Sequence, residues 1–322
     1  MTGIRKTVPF GMSERGFVRK TIAIAATAGL LVTLSACTVS APSGECTPTV
    51  SSGKASEAIS ATGAINTTPV VDFPTPLLAD DTQVTVLSAG DGRVLRDTDY
   101  VAFTATGYFG STGELGLETQ AAQVFVDSDG TELSKALECV TEGSRLAVTI
   151  PQADTDQTEV YIIDVASSFT SKATGRVEIQ QQGFPSIVTA PDGTPGFTIV
   201  GDAPSDLRFS TLITGEGENV AEGDLLLVQY SYVRWDTRAP LDSTWGEDGQ
   251  PAPVFLKAFD PATGLGVSDG VLKALTGKTV GSQVVMVLPP SAFASGSDIA
   301  LPEAATVVAV YDILGIVDTE TD

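Results

Sequence analysis

"TLITGEGENVAEGDLLLV" (Thr211–Val228) has a counterpart 125 residues earlier, "VLSAGDGRVLRDTDYVAF" (Val86–Phe103). In one, Gly90 and Gly92 precede Asp99; in the other, Gly215 and Gly217 precede Asp224 at the same spacing. Further on, "ALECVTEGSRLAVTIP" (Ala136–Pro151) aligns without a gap to "ALTGKTVGSQVVMVLP" (Ala274–Pro289). Each half closes on an apolar run, "VYIIDV" (Val160–Val165) and "VVAVYDIL" (Val307–Leu314). The offset between matching blocks grows from 125 to 138, so the second half carries an insertion, which holds "PLDSTW" (Pro240–Trp245). These blocks read as two copies of one domain, split near Thr170–Gly183.

The Gly-x-Gly pairs invite a dinucleotide-binding reading, but no helix with a third glycine follows them, so they read as turns before strands. "LLLVQYSYVRW" (Leu225–Trp235) alternates, with Val228, Tyr230 and Tyr232 on one face and Leu227, Gln229 and Ser231 on the other. "SDGVLKALTG" (Ser268–Gly277) predicts a short helix that Ser268 caps and Gly277 ends, with Val271 and Leu275 on its inner face. The unit is then an antiparallel sheet with one short helix packed on it, an α+β fold.

The chain has 322 residues, of which 42% are hydrophobic and 7% aromatic, with 32 Gly and 18 Pro. That suffices for one large domain or two ordinary ones, built from short strands and many turns. It contains no histidine. The commonest general base, the usual catalytic triads and most zinc sites are thereby excluded. Any chemistry rests on carboxylates, hydroxyls, backbone dipoles or shape.

Residues 1–36 read as a leader: Arg5, Lys6, Arg15, Arg19 and Lys20 precede an apolar run, Thr21–Thr33, too short to span a bilayer comfortably. It ends in "LSAC" (Leu34–Cys37), which resembles a bacterial lipobox; an ordinary signal peptide with a chance cysteine is the alternative. Lipidation of Cys37 would hold the protein on the extracytoplasmic face of the cell membrane. Cleavage leaves 13 basic against 39 acidic residues, a net charge of −26. That argues against nucleic acid and against electrostatic binding to an anionic membrane, leaving the lipid as the only membrane attachment. Residues 37–69, rich in Ser, Thr, Ala, Gly and Pro, read as the lipidated Cys and a flexible tether, followed by domains over 70–170 and 171–322. In an exported chain Cys46 and Cys139 are expected to form a disulfide, two free buried thiols being the alternative.

Asp242, in the inserted loop, is the carboxylate that stands out. It is either a site residue or a turn residue capping its own loop. A glycosidase would need a second acid facing it, and only Glu247 and Asp248 are near. "DSDG" (Asp127–Gly130) lacks the later acidic ligand of a calcium loop and reads as a turn.

As an ensemble, "GEGENVAEGDLLLVQYSY", "LDST", "GVLKALTGKTVGSQVVMVLPP" and "LPEAATVVAVYDIL" resemble the FKBP family of peptidyl-prolyl isomerases over residues 209–317. The resemblance implies two FKBP-like domains, each a twisted antiparallel β-sheet wrapped on one short α-helix. The first is degenerate, with Ala105 where Tyr230 would be and no Asp-Ser loop. It implies a catalytic Tyr230 and Asp242 beside a proline-binding cup of Leu241, Val254, Val267, Ser268, Val271, Phe293 and Ala309. No cofactor or metal is implied, and the partners would be proline-containing segments of exported proteins, met by a monomer. Leu241, Val254, Val271 and Ala309 stand where the family carries aromatics, so activity is expected to be weak unless neighbours refill the cup. A non-catalytic chaperone or interaction lipoprotein on the same scaffold is the alternative.

Overall fold

The computed structural model describes residues 46–126, 130–155, 157–246, 249–293 and 305–317. The leader, Cys37, Asp127–Asp129, Glu247 and Asp248 lie outside the described residues. No helix among the described residues is long and apolar enough to cross a membrane.

Helix α1 (Lys54–Glu57) and the hairpin of β1 (Ser60–Thr62) and β2 (Val70–Asp72) precede the first large sheet. That sheet holds β3 (Gln83–Ser88), β4 (Tyr100–Phe109), β5 (Leu115–Phe125), β6 (Arg145–Gln152) and β7 (Gln157–Phe169) in the antiparallel order β3-β6-β7-β4-β5. Helix α2 (Glu132–Ala136) starts at Thr131, whose hydroxyl accepts the Ser134 N–H. Alternation along the strands gives the sheet two apolar faces. One buries Val101, Phe103, Leu146, Val148 and Ile163 against Leu137, beside α2. The other buries Ala147, Val160 and Ile162 under Ala55, Ile59 and Leu77.

That second cover corrects the flexible-tether reading for residues 46–69. The few apolar side chains in this polar stretch close a face that would otherwise stand open. Cys46 and Cys139 form a disulfide, with Cα atoms 5.5 Å apart. The buried Arg145 and Asp164 pair at 2.6 Å, and the pair is spent on the cover. Arg145 donates to the carbonyls of Gly63 (3.0 Å) and Ala64 (2.8 Å), and the Asn66 N–H donates to Asp164 (2.7 Å).

The second sheet repeats the plan. Its strands are β8 (Gly175–Val177), a separate hairpin of β9 (Ser186–Thr189) and β10 (Pro195–Thr198), then β11 (Arg208–Gly215), β12 (Leu225–Arg234), β13 (Pro240–Ser243) and β14 (Ala252–Phe255). Helix α3 (Asp269–Leu275), β15 (Gln283–Leu288) and β16 (Val307–Ile316) follow. The order β11-β15-β16-β12 matches β3-β6-β7-β4. The interrupted pair β13 and β14, both bonded to β12, replaces the continuous β5.

The Gly-x-Gly turns are the same turn twice. The Gly90 N–H donates to Ser144 Oγ and the Gly215 N–H to Ser282 Oγ, each at 3.0 Å. A Cβ on Gly90 would lie 2.0 Å from the Glu142 carbonyl oxygen, and one on Gly215 2.1 Å from that of Val280. Glycine is required there by close backbone approach. The outer face of this sheet is also covered: Ile187 on β9 and Ile199, just after β10, lie on Val285, Val287, Val308 and Val310. Where the first repeat has Arg145–Asp164, the second has Gln283 donating to Asp312 at 2.8 Å, with the Ala173 N–H on the other carboxylate oxygen at 2.7 Å. Burial pushes the Asp312 carboxyl up to about 6, outweighing the Ala173 and Gln283 hydrogen bonds and the charge of Lys172, which pull it down.

Candidate active site

The site grows from β12. Val228, Tyr230 and Tyr232 face α3, as the alternation predicts, and Tyr232 and Val228 are buried with Val271, Ala274 and Leu275. Helix α3 starts where expected, with the Ser268 hydroxyl facing the Val271 N–H at 3.5 Å. The inserted loop folds back onto β12. The Tyr230 N–H donates to Thr244 Oγ1 (2.8 Å), and the Thr244 N–H donates to the Tyr230 carbonyl (3.0 Å). This clamp sets the half-buried Asp242 beside Tyr230, whose hydroxyl donates to Asp242 Oδ2 at 2.9 Å. The other oxygen, Oδ1, accepts the Ser243 N–H at 2.8 Å. Asp242 thus caps its own turn, one of the two alternatives read from the sequence, and also accepts the Tyr230 hydroxyl.

Below this pair, Val267, Val271 and Ala309 are buried and Leu241 and Val254 partly buried, all in one apolar cluster. Ser268 is buried, and its hydroxyl caps the helix. Phe293 closes a 3-10 turn, Pro290–Phe293. The first repeat offers no equivalent pair: buried Ala105 lies opposite Ile163 on β7 and Gln120 on β5, and β5 runs on without a loop.

Tyr232 and Tyr311 complete the site and were not singled out from sequence. Tyr232 lies directly opposite Ala309, and Tyr230 opposite Tyr311. The aromatic that Ala309 lacks is thus supplied across the ladder by Tyr232. The three rings form a cluster with centroids 5.4, 5.5 and 5.8 Å apart, and the hydroxyls of Tyr232 and Tyr311 share a 2.5 Å hydrogen bond. Burial holds the Tyr232 phenol well above its ordinary range, with Tyr311 adding to the effect. The signal that could have revealed the exchange is the register, which pairs a large residue with a small one. Trp245 is not part of this cup; it lies on the other side of the loop, against Gly193 and Lys172, where a Cβ on Gly193 would meet its ring at 2.5 Å.

Such an arrangement suits a reaction that makes and breaks no covalent bond. It has a buried apolar floor, a buried Tyr232 phenol whose titration is pushed upward, and one oriented carboxylate at the rim. Rotation about an X–Pro bond is such a reaction, limited by the loss of amide resonance, about 18–20 kcal/mol. An apolar cup favours the twisted imide, which has lost charge separation, and placed polar groups hold the peptide.

The chain is a peptidyl-prolyl cis-trans isomerase of the FKBP type, and its kinship shows this. A protein of Corynebacterium glutamicum named "Probable FK506-binding protein" is 32% identical over 93 residues, which make up 29% of this chain and 71% of that protein. The chain belongs to the FK506-binding protein family. Among solved structures, the three FKBP domains of wheat FKBP73 match at 17% identity with a TM-score of 0.30, over 73% of this chain and 94% of that one. FkpA from Escherichia coli matches at 20% and 0.29, over 42% and 53%. No family model matches.

Proposed function

We propose that the catalytic centre lies in the second of two FKBP-like domains, over residues 171–322. Its substrates are proline-containing segments of exported proteins. The chain works as a monomer held by a lipid on Cys37 at the extracytoplasmic face of the membrane. The observation that carries the reading is the Tyr230–Asp242 hydrogen bond at 2.9 Å over the Val267–Val271–Ala309 floor, which the first repeat lacks. The leader and lipobox support the location. The domain limits of 70–170 and 171–322 rest on the repeated strand order and the repeated Gly-x-Gly turns.

A binding role without turnover is the second reading, favoured by one observation. Tyr232 and Tyr311 are both buried and bonded to each other, so they fill space under the cup instead of lining it openly. Isomerisation of an Ala-x-Pro peptide series, with Tyr230→Phe and Asp242→Ala beside the parent chain, tests the assignment. Cys37→Ser, followed by fractionation of cells, tests the anchor. Turnover unchanged in both site variants refutes the proposed centre, and membrane retention of Cys37→Ser refutes the anchor.

A further inference from the structure

On the outer face of the second sheet, three polar side chains stand in one row across three strands. Gln229 on β12 and Gln283 on β15 both lie directly opposite Asp312 on β16. They are 3%, 1% and 1% exposed. Directly opposed residues share a face, with Cβ atoms about 4.5–5.5 Å apart. The same row of the first repeat holds Thr104, Arg145 and Asp164. There a cation keeps the carboxylate charged; here Gln283 stands in its place.

The donors of the second row do not cover its acceptors. Gln283 Nε2 donates to Asp312 Oδ1 at 2.8 Å, and the Ala173 N–H donates to Oδ2 at 2.7 Å. Gln283 Oε1 accepts the Thr189 hydroxyl at 3.3 Å. Gln229 Oε1 is left over: it is sealed from solvent and has no hydrogen-bond partner. A buried acceptor in that state costs about 1–3 kcal/mol. Within the row, the group that can gain a hydrogen is Asp312, since a carboxylate only accepts whereas a carboxylic acid donates one O–H.

We infer that Asp312 is a proton-dependent positioning residue of the isomerase: as the neutral acid it donates its O–H to Gln229 Oε1 and ties β12 to β16 behind the catalytic pair. The proton comes from solvent as the pH falls, and no other bond is made or broken. Burial has already raised the Asp312 carboxyl to about 6. Lys172 is the charged group that acts on it, and it favours the carboxylate; Gln229, Gln283 and Ala173, which face it from β12, β15 and the inter-repeat linker, are uncharged. The hairpin of β9 and β10 reaches the row through the neutral Thr189 hydroxyl.

The backbone links this row to the cup. Gln229 precedes Tyr230 and Asp312 precedes Ile313 but follows Tyr311, and the rings of Tyr230 and Tyr311 are directly opposed and stacked with centroids 5.5 Å apart. Above the transition a bare carboxylate faces an unpartnered carbonyl oxygen, and their repulsion loosens β12 from β16 under those rings. Below it a hydrogen bond draws the two strands together. The role rests on the reading of Tyr230 and Asp242 as the catalytic centre.

The test follows the full chain from pH 5 to 8 by carbon-13 NMR of its aspartate carboxyls and tyrosine rings, and by isomerisation of an Ala-x-Pro peptide. The Asp312 carboxyl should titrate near pH 6, and the Tyr230 ring resonances should shift with the same midpoint. Through that transition kcat should fall at least threefold as pH rises, with KM within twofold. Asp312→Asn should abolish both the ring shift and the fall in kcat. Gln229→Leu, which removes the acceptor, should lower the Asp312 midpoint by at least about half a pH unit. Near-ultraviolet circular dichroism checks that each variant is folded. A midpoint unchanged or raised in Gln229→Leu would overturn the proton bond, and Tyr230 resonances that ignore the Asp312 midpoint would overturn the positioning role. Absence of turnover at every pH, with the Tyr230 shift intact, would refute the catalytic reading while upholding the coupling of Asp312 to Tyr230.

Discussion

Ala309→Phe restores the aromatic that the family carries on its last strand, yet here it should destabilise the protein. Ala309 is fully buried and lies directly opposite Tyr232, itself only 3% exposed. Cβ atoms of opposed strand residues are about 4.5–5.5 Å apart, so a phenyl group added there meets the Tyr232 ring. Overpacking of this kind costs about 1–3 kcal/mol. Tyr232→Ala does the reverse: it opens a cavity and leaves the Tyr311 hydroxyl without its 2.5 Å partner, at a cost of about 3–5 kcal/mol by analogy with other large aromatics. If one ring substitutes for the other, the double variant Tyr232→Ala/Ala309→Phe refills the cavity. It should then lie at least about 2 kcal/mol above the sum of the single losses, and above Tyr232→Ala alone. Urea unfolding followed by tryptophan fluorescence measures all four proteins. Additive losses, within about 0.5 kcal/mol, would refute the exchange of rings across the ladder.

The outer faces give two further expectations. Asp312 has a folded pKa of about 6, raised above its unfolded value, so folding takes up a proton as pH falls and the charged carboxylate weakens the fold above pH 6. Between pH 7.5 and 5 the parent should gain about 1.4 kcal/mol relative to Asp312→Asn. A difference that stays constant over that range would contradict the assignment. Arg145→Ala leaves Asp164 buried without its cation and strips two carbonyls of their donor, which should cost about 3–5 kcal/mol. Hydrogen exchange should show residues 46–69 losing protection first. Uniform loss across both sheets would contradict a pair dedicated to the cover.

The repeat was legible because its turns demand glycine: a side chain at Gly90 or Gly215 has no room, so the spacing survives where other residues drift. The strands of the second repeat were legible from alternation, and α3 from Ser268 and the Val271–Leu275 face. Tyr230 and Asp242 could be paired only through the family resemblance, since twelve residues separate them and the Thr244 clamp that joins them is tertiary. The cover over 46–69 was missed because its apolar residues are too sparse to show a period; they are held by Arg145 and Asp164, whose roles appear only when β6 and β7 pair. Tyr232 and Tyr311 read as ordinary strand residues until the register sets Tyr232 against Ala309.

The central claim is that Tyr230 and Asp242 form the isomerase centre. Nuclear magnetic resonance exchange between the cis and trans forms of an Ala-x-Pro peptide tests it most directly, in the presence of the full chain and of its Asp242→Ala variant. The account predicts exchange far faster than the uncatalysed tens to hundreds of seconds with the parent, and at least tenfold slower with the variant, the peptide still bound. Equal exchange with both proteins, or none with a folded parent, would contradict it.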